Sequence, residues 1–324
     1  FSPGDWIQII QNDTDLVTSS WAKNTIGQIV EIQSISRNKI TLYSKLRLDY
    51  SMDRTPYIEK ITPKENVGIE CLKIVRLDNT APEQSSNIYF QYAVNCWVNG
   101  IESENCTFSH IQANQSSNIH ISKSYMHHAF DYGGGGRAYG VMLQATSNEI
   151  RVENNIFEHL RHSMIVQSGA NGNVFAYNYS TDPYWSSNPS DAAGDMVLHG
   201  NYPYLNLFEH NICSNIVIDN SHGPNGPYNT IFRNRAEKYG IFFSASNSPF
   251  QNIIGNEITN KQVPYSLVNY LIQGRNHLLI GNNNKGSIHP TDSDTLTDLS
   301  FAYTSKPDFI PTSQWATFGT KGSS

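Results

Sequence analysis

The sequence predicts an all-β solenoid, a coil in which every turn contributes the same few short strands. Three features lead to this class: an excess of asparagine, a repeat of a little over twenty residues that ends in asparagine, and a second series of strand-like segments with the same period. Because stacked repeats bury their core against one another, they predict a single elongated domain over 1–324.

The composition excludes several other classes of protein. Asparagine accounts for 35 of the 324 residues, whereas hydrophobic residues make up 38% and charged residues 15%. Asparagine and glycine disfavour long helices, and 18 Tyr, 14 Phe and 5 Trp are enough to bury a core. The net charge of −6 leaves no basic surplus for nucleic acid, and no apolar run is long enough to span a membrane. We expect a secreted or cell-surface protein.

The asparagine repeat consists of short alternating strands that each end at one asparagine. The successive positions are Asn155, Asn178, Asn211, Asn234, Asn256 and Asn282, with Asn105 and Ser124 in the same frame upstream. An inward asparagine at a tight corner can hydrogen-bond with the turns above and below it. These residues are therefore predicted to stabilise the coil and to take no part in a reaction.

The second series of strands lies between the asparagine positions and aligns without gaps. Its members are 139–144, 162–167, 194–199, 214–219, 239–244 and 268–273. Two strand series that share one period make each repeat one turn of a coil, with parallel strands about 4.8 Å apart in successive turns.

Over at least 85–284 this pattern resembles the right-handed parallel β-helix of the pectate-lyase-like superfamily. The resemblance implies coils over 66–284, a small β-rich insertion over 1–62, and a tail over 285–324 that packs back along the helix. The expected anchors of that tail are Tyr303, Phe309 and Trp315. Within this superfamily the fold does not fix the activity.

The four cysteines show no C-x-x-C spacing, which argues against a zinc knuckle. Cys71 and Cys96 lie one repeat apart, so adjacent turns could stack them. They could form a disulfide or remain a pair of buried thiols.

Two enlarged repeats carry insertions, at 127–138 and 180–195, and both interrupt the chain at the same phase. They are predicted to emerge on one side of the coil and to border a groove. Aromatic rings cover the apolar face of a pyranose while polar groups bind its hydroxyls, so this groove predicts a polysaccharide partner. The alternative is that the aromatic residues only anchor the long loop. The candidate substrate-binding residues are His128, Asp131, Tyr132, Arg137, Tyr184, Trp185 and His222, with His127, Asp182 and Asp191 beside them.

The second series also supplies candidate catalytic residues. The last residues of its six aligned segments, which we call the last column, are Gln144, Gln167, His199, Asp219, Ser244 and Gln273. These polar side chains indicate that this column faces outward. His199 and Asp219 fall on adjacent turns, where the carboxylate could orient the imidazole and raise its basicity. Strand alternation places Asp195 on the same face as His199. The alternative is a structural stack of polar side chains without chemistry.

Two mechanisms fit these residues. A polysaccharide lyase would use His162 or His199 as the base, with Arg137 or Arg161 neutralising a uronate carboxylate. A glycoside hydrolase would need two carboxyl groups, for which Asp195 and Asp219 are the candidates, with Asp131 or Asp191 as further ones. The lyase is slightly favoured, because Arg and His are concentrated beside the insertions.

Family motifs do not decide between these mechanisms. The hydrolase branch of the superfamily shows Asn-Thr-Asp, an Asp pair, Gly-His-Gly and Arg-x-Lys. The pectate-lyase branch shows an acidic calcium-binding cluster and an Arg in R-x-P. This chain has LHGN at 198–201 and SHGP at 221–224, which partly match Gly-His-Gly, but it has neither the Asp pair nor Arg-x-Lys, and neither of the pectate-lyase motifs. A non-catalytic adhesin or structural surface protein is the rival class. A calcium requirement and the oligomeric state stay open.

Overall fold

The computed structural model is a right-handed parallel β-helix of about eight turns, with a small antiparallel sheet packed against it. It describes residues 1–79, 84–184, 194–263 and 270–311, together with 313, 315, 318 and 319. The predicted fold class is confirmed.

The small sheet contains the N-terminal strands, which pair in the order β3-β2-β1-β4. Its strands are β1 (Trp6–Ile10), β2 (Gly27–Ser36), β3 (Lys39–Leu42) and β4 (Tyr57–Ile61). Short 3-10 helices cover Ser20–Ala22 and Met52–Arg54.

Each turn of the coil passes in order through three parallel sheets, A, B and C. Sheet A contains β5 (Lys64–Glu65), β6 (Gly68–Glu70), β9 (Ala93–Asn99), β12 (Ser117–Ser122), β15 (Arg151–Glu153), β18 (Val174–Ala176), β21 (Leu207–Glu209), β23 (Thr230–Phe232), β25 (Asn252–Ile254) and β28 (Leu278–Ile280). Sheet B contains β7 (Lys73–Val75), β10 (Glu102–Cys106), β13 (Tyr125–Ala129), β16 (Ile156–Glu158), β19 (Tyr179–Thr181), β26 (Glu257–Ile258) and β29 (Asn282–Asn284), which an antiparallel β30 (Ser287–His289) follows.

Sheet C contains β8 (Ile88–Gln91), β11 (Ser109–Asn114), β14 (Tyr139–Gln144), β17 (His162–Val166), β20 (Met196–Leu198) and β27 (Tyr270–Leu271). Two long strands, β22 (Ile212–Ile218) and β24 (Arg235–Phe243), run from sheet B into sheet C. The register of sheet C matches the gapless alignment of the second series, with Met164 opposite Met196 and Met196 opposite Ile216. The inward side chains of all three sheets form one continuous apolar core.

The asparagine ladder is present at the corner between sheets A and B. The Oδ1 of each asparagine accepts from the main-chain N–H and the side-chain Nδ2 of the asparagine one turn earlier, from Asn155 through to Asn282. Ser124 continues the ladder upstream, because its N–H donates to Asn155 Oδ1. The placement of Asn105 in this frame is wrong. The N–H of Ile101 bonds to Ser124 Oγ, so Ile101 is the corner residue of that turn.

A second ladder runs along the corner before sheet A, and the repeat analysis missed it. Asn173 bonds to Asn206 Oδ1, Asn206 to Asn229 Oδ1, and Asn229 to Gln251 Oε1. Each member lies five residues before a member of the first ladder, so both edges of sheet A are fixed by stacked amides. The constant five-residue offset is the sequence signal that could have revealed it.

The N-terminal sheet packs on the corner between sheets C and A. Asn148 exchanges hydrogen bonds of 2.8 and 2.9 Å with the N–H and carbonyl of Ile29. Asn171 Nδ2 and the Tyr204 hydroxyl both donate to the carbonyl oxygen of Gly27, at 2.9 and 3.0 Å. Because these donors come from successive turns of the coil, the small sheet is fixed along the helix axis.

The C-terminal tail packs on sheet A through the three predicted anchors, which all contact Tyr177. The rings of Tyr303 and Phe309 meet the Tyr177 ring edge-on, each at 5.6 Å, and Trp315 Nε1 donates to the Tyr177 hydroxyl. The fully buried Arg233 donates to main-chain carbonyls of the tail.

All four cysteines are free thiols. The register opposes Ile69 to Val98, so Cys71 stacks over Gly100 and not over Cys96. A disulfide between Cys71 and Cys96 is therefore absent, and the alternative of two buried thiols is also wrong for Cys71, which is exposed.

Candidate active site

A β-bulge at the start of sheet C decides which side chains face outward. The main-chain N–H groups of Ser163 and Met164 both donate to the carbonyl oxygen of Asp195, at 2.9 and 3.1 Å. The bulge reverses the alternation at this point, so Tyr139 and His162 lie outside the coil, where their rings are 4.9 Å apart.

The same bulge turns Asp195 into the interior, so its predicted place beside His199 is wrong. The Asp195 carboxylate is fully buried and accepts from Ser180 Oγ at 2.6 Å and from the Ser214 N–H at 2.9 Å. Burial raises the pKa of this carboxyl, against the effect of the Ser180 hydrogen bond. Strand alternation could not reveal this, because the consecutive residues Asp195 and Met196 both point inward while the register stays without gaps.

An apolar strip runs along the outer face of sheet C. It consists of Met142, Ile165, Val197 and Val217 in register, with Phe108, Tyr139 and Phe242 packed against them. The outward face of sheet C is therefore apolar along this strip and polar in its last column. In that last column Gln167 Nε2 donates to Gln144 Oε1 at 2.5 Å.

His199 and Asp219 form a pair in the last column, as their alignment predicts. His199 Nδ1 lies 2.5 Å from Asp219 Oδ2, and the N–H and hydroxyl of Ser221 also donate to this carboxylate. Burial alone would raise the pKa of Asp219, but the hydrogen bond and charge of His199 outweigh it and hold that pKa below its usual range. His199 Nε2 has no hydrogen-bond partner among the described residues.

Two further imidazoles contact the ring of His199. The His162 ring lies 5.4 Å away, and the His222 ring meets it edge-on at 4.9 Å. Burial lowers the pKa of both, and the charge of Arg161 also lowers that of His162. His162 is thus a neutral imidazole, with Nδ1 placed 2.5 Å from the carbonyl oxygen of Gly194.

Arg161 and Tyr139 complete the imidazole cluster, which we define as Tyr139, Arg161, His162, His199, Asp219 and His222. Arg161 Nη1 lies 3.5 Å from the hydroxyl oxygen of Tyr139. Burial raises the pKa of Tyr139, so it stays a neutral phenol near neutral pH. Sequence reasoning missed Tyr139, although it aligns with His162 in the second series.

The N-terminal insertion supplies an edge of this cluster, which sequence reasoning also missed. The Trp21 indole meets the His222 ring edge-on at 5.4 Å and is 51% exposed. Thr18 fixes the contact, because its N–H donates to Asn201 Oδ1 and its hydroxyl to the His222 carbonyl. Gly223 has φ +80°, and a Cβ there would lie 2.4 Å from Thr18 Cγ2. This close approach requires glycine.

Three of the predicted substrate-binding residues, His128, Tyr132 and Tyr184, form a second group with His159, which sequence reasoning missed. We call this group the aromatic cluster. Tyr132 stacks on Tyr184 at 4.6 Å and meets the His159 ring at 4.9 Å. His128 lies 5.3 Å from His159, whose Nδ1 is 2.8 Å from Asp182 Oδ2. His159 is three residues before His162, so the two clusters are neighbours along one turn. Arg137 pairs with Asp131 near them.

Two of the predicted residues, Trp185 and Asp191, lie outside the described part of the chain. His127 lies beside the aromatic cluster, where its Nδ1 is 2.9 Å from His128 Nδ1. Its Nε2 lies 3.2 Å from Glu102 Oε1 and its ring stacks on Tyr125.

Within the described residues one group, Glu102, Glu104 and His127, has ligand atoms close enough to share a cation. Lys73 already lies between the two carboxylates, at 2.8 and 2.7 Å. Its ammonium group takes the place that a metal ion would need, so this arrangement does not support a calcium site.

No family model matches this sequence, and no curated protein matches it significantly. Solved structures do. The tailspike gp61 of Pseudomonas phage phi297 aligns with a TM-score of 0.62 at 12% identity, over 88% of this chain and 52% of that one. That likeness shows the fold alone.

Two further tailspikes align less well. Gp54 of Acinetobacter baumannii bacteriophage AP22, solved in complex with A. baumannii capsular saccharide, has a TM-score of 0.42 at 14% identity, over 87% of this chain and 52% of that one. Gp49 of Pseudomonas phage LKA1 has 0.41 at 12% identity, over 85% and 57%. The chain thus spans between half and three fifths of the length of the tailspikes that it matches.

No helix in the described residues combines the length and the apolarity that a membrane crossing needs.

Proposed function

We propose that this protein cleaves an acidic polysaccharide by β-elimination at the imidazole cluster. The observation that carries the proposal is the contact of His199 Nδ1 with Asp219 at 2.5 Å, since Nε2 is left without a partner among the described residues. A carboxylate on Nδ1 fixes the tautomer in which Nε2 has a free lone pair, which is the state that a general base requires.

The reaction assigns one role to each group. His199 Nε2 takes the proton α to the uronate carboxylate, the electron pair forms a carbon–carbon double bond, and the bond to the departing glycosidic oxygen breaks. That oxygen takes a proton from solvent. Arg161, which lies beside Tyr139, neutralises the carboxylate as negative charge develops on it.

The inward position of Asp195 favours elimination over hydrolysis. A glycosidase of the usual kind needs two carboxyl groups on either side of the scissile bond. Of the two main candidates, Asp195 and Asp219, only Asp219 is on this face, and it is already bonded to His199 and Ser221. Of the further candidates, Asp131 pairs with Arg137, and Asp191 lies outside the described residues. The imidazole cluster thus offers an imidazole base and, among the described residues, the single carboxylate of Asp219.

The aromatic cluster supports a carbohydrate as substrate. The rings of Tyr132 and Tyr184 stack in the neighbouring aromatic cluster, and the exposed indole of Trp21 contacts His222 of the imidazole cluster. Aromatic rings of this kind cover the apolar faces of pyranoses. A polysaccharide substrate would place the protein outside the cell, as a secreted or surface protein.

The test is an assay of the purified chain against a panel of uronate-containing and neutral polysaccharides. We expect new ultraviolet absorbance from an unsaturated product with at least one uronate polymer. His199→Gln should lower kcat by on the order of 10²–10⁴-fold, whereas Gln273→Ala, in the same column but two turns beyond Asp219, should leave it unchanged. Equal melting temperatures of the two variants would show that both are folded.

Three outcomes would contradict the proposal. New reducing ends without ultraviolet absorbance would indicate a hydrolase. Full activity of His199→Gln would place the chemistry elsewhere. Binding without turnover across the panel would support the non-catalytic adhesin.

A further inference from the structure

A further pocket lies on sheet A, at the point where the C-terminal tail turns back along the coil. The tail covers sheet A from Phe232, which packs on Phe301, as far as Glu153, which bonds to Tyr303. Beyond Glu153 the outer face of the sheet is open. The cavity at this point measures about 450 Å³. That is within the range of roughly 300–1,000 Å³ for small-ligand pockets.

The floor of the pocket is the indole of Trp97, one face of which packs against the neighbouring strand. Trp97 is 37% exposed, and its Nε1 donates to Glu70 Oε1 at 2.6 Å. It lies flat over Gly68 in the neighbouring strand, since a Cβ on Gly68 would be only 2.2 Å from indole Cε2. The sequence therefore combines a glycine and a tryptophan to present one fixed aromatic surface.

The wall of the pocket is equally fixed. Glu153 accepts from His120 Nε2 at 2.7 Å and from the Tyr303 hydroxyl, and the Arg151 guanidinium lies 4.9 Å above the Tyr303 ring. Burial raises the pKa of Glu153, but the hydrogen bonds from His120 and Tyr303 outweigh it and lower that pKa to about 2. The carboxylate is thus ionised and the surrounding side chains are preorganised.

Polar groups without partners surround the indole. Asp308 of the tail, Lys123 and the Nδ2 of Asn99 line the pocket, and none has a hydrogen-bond or ion-pair partner among the described residues. Three carboxylates, from Glu70, Glu153 and Asp308, line the pocket with one lysine, and Arg151 pairs with Glu153 at 3.3 Å, so a small net negative charge remains. An anionic ligand is disfavoured, and one with hydroxyl groups fits.

We infer that this pocket, which we call the Trp97 pocket, binds a neutral saccharide of one or two pyranose units. A pyranose would stack its apolar face on the free face of the indole and bond its hydroxyls to Asn99, Asp308 and Lys123. The inference does not depend on the proposed activity, because none of these residues belongs to the imidazole cluster. It gives the chain a second carbohydrate site, which prefers neutral saccharides to acidic ones.

The test uses protein labelled with 5-fluorotryptophan and ¹⁹F NMR, with Trp97 and Trp21 assigned through Trp97→Phe and Trp21→Phe. Maltose, cellobiose, lactose and digalacturonate serve as probes. We expect at least one neutral disaccharide to move the Trp97 signal saturably, and digalacturonate to leave it in place. Gly68→Ala, which displaces the indole but keeps it, should weaken that binding by about tenfold or more. Gly134→Ala is the matched control, since a Cβ there meets nothing within 4 Å.

Each contrary result has a distinct meaning. No shift of Trp97 with any neutral disaccharide, or an equal shift in Gly68→Ala, would overturn the inference. A Trp97 shift that depends on protein concentration without sugar would show that a second copy occupies the pocket, which also overturns it. The Trp21 signal reports on the imidazole cluster in the same spectra, so failure at one site is separable from failure at the other.

Discussion

Asn211 occupies the middle of the asparagine ladder, and its replacement by alanine tests how much the ladder stabilises the coil. Its Nδ2 donates to the Phe175 carbonyl and to Asn234 Oδ1, both at 2.9 Å. Its Oδ1 accepts from the N–H and the Nδ2 of Asn178, at 3.0 and 2.9 Å. Asn211→Ala removes all four hydrogen bonds in a fully buried site.

The cost follows from the groups that lose a partner. The Asn178 N–H and the Phe175 carbonyl each lose a hydrogen bond while they stay buried, at about 1–3 kcal/mol per group, so the expected loss is about 2–6 kcal/mol of unfolding free energy. The terminal member Asn282 makes three ladder bonds instead of four, so Asn282→Ala should cost less. The exposed Asn247 provides a control, with an expected change within about 0.5 kcal/mol.

Guanidinium unfolding followed by circular dichroism would measure all three variants. The order of loss should be Asn211→Ala, then Asn282→Ala, then Asn247→Ala. If Asn211→Ala unfolds within about 1 kcal/mol of Asn247→Ala, the ladder bonds are worth no more than bonds to water, and the argument from buried amides is wrong.

Three further predictions concern the site, the buried histidines and the tail. In the ultraviolet product assay, Asp219→Asn should reduce kcat by on the order of 10²-fold or more with KM little changed, because the Nδ1 contact no longer fixes the base tautomer of His199. An unchanged kcat would remove Asp219 from the mechanism. Burial lowers the pKa of His210 to about 3, so the unfolded chain binds a proton first as pH falls below about 6.5, and stability declines down to about pH 3 by up to about 1.4 kcal/mol per pH unit. His210→Phe should flatten that decline in urea unfolding at pH 4–7. The left-handed backbone of His210 (φ 55°) can accommodate an aromatic side chain, because Tyr177 has φ 54° at the equivalent position one turn earlier. An unchanged slope of unfolding free energy against pH would refute this prediction. In Arg233→Met the tail should be cleaved by limited proteolysis before the coil is, because Arg233 donates to the Asp298 and Phe318 carbonyls. Equal cleavage of wild type and variant would show that other contacts hold the tail.

The parts of the fold that local repetition encodes could be predicted. The corner asparagines and the strands of sheet C recur at one period, and the register observed in β14, β17 and β20 is the register of the gapless alignment. The pairing of His199 with Asp219 follows directly from that register. The second ladder carried the same spacing five residues earlier and could have been found in the same way.

The parts that depend on single residues or distant contacts could not be predicted. Asp195 points inward because of one bulge, which no periodicity shows. Trp21 reaches His222 because the N-terminal sheet docks on Asn148 and Asn171, more than a hundred residues away in the chain.

The sequence by itself determined the coil, its period and the neighbours His199 and Asp219, because a solenoid converts distance along the chain into contact between adjacent turns. The tertiary structure alone decided which side chains from different sheets and segments share a surface. Three features depend on local geometry or on contacts between distant segments: the orientation of Asp195, the contact of Trp21 with His222, and the Trp97 pocket beside the tail. Such features do not repeat along the sequence, so its periodicity cannot predict them.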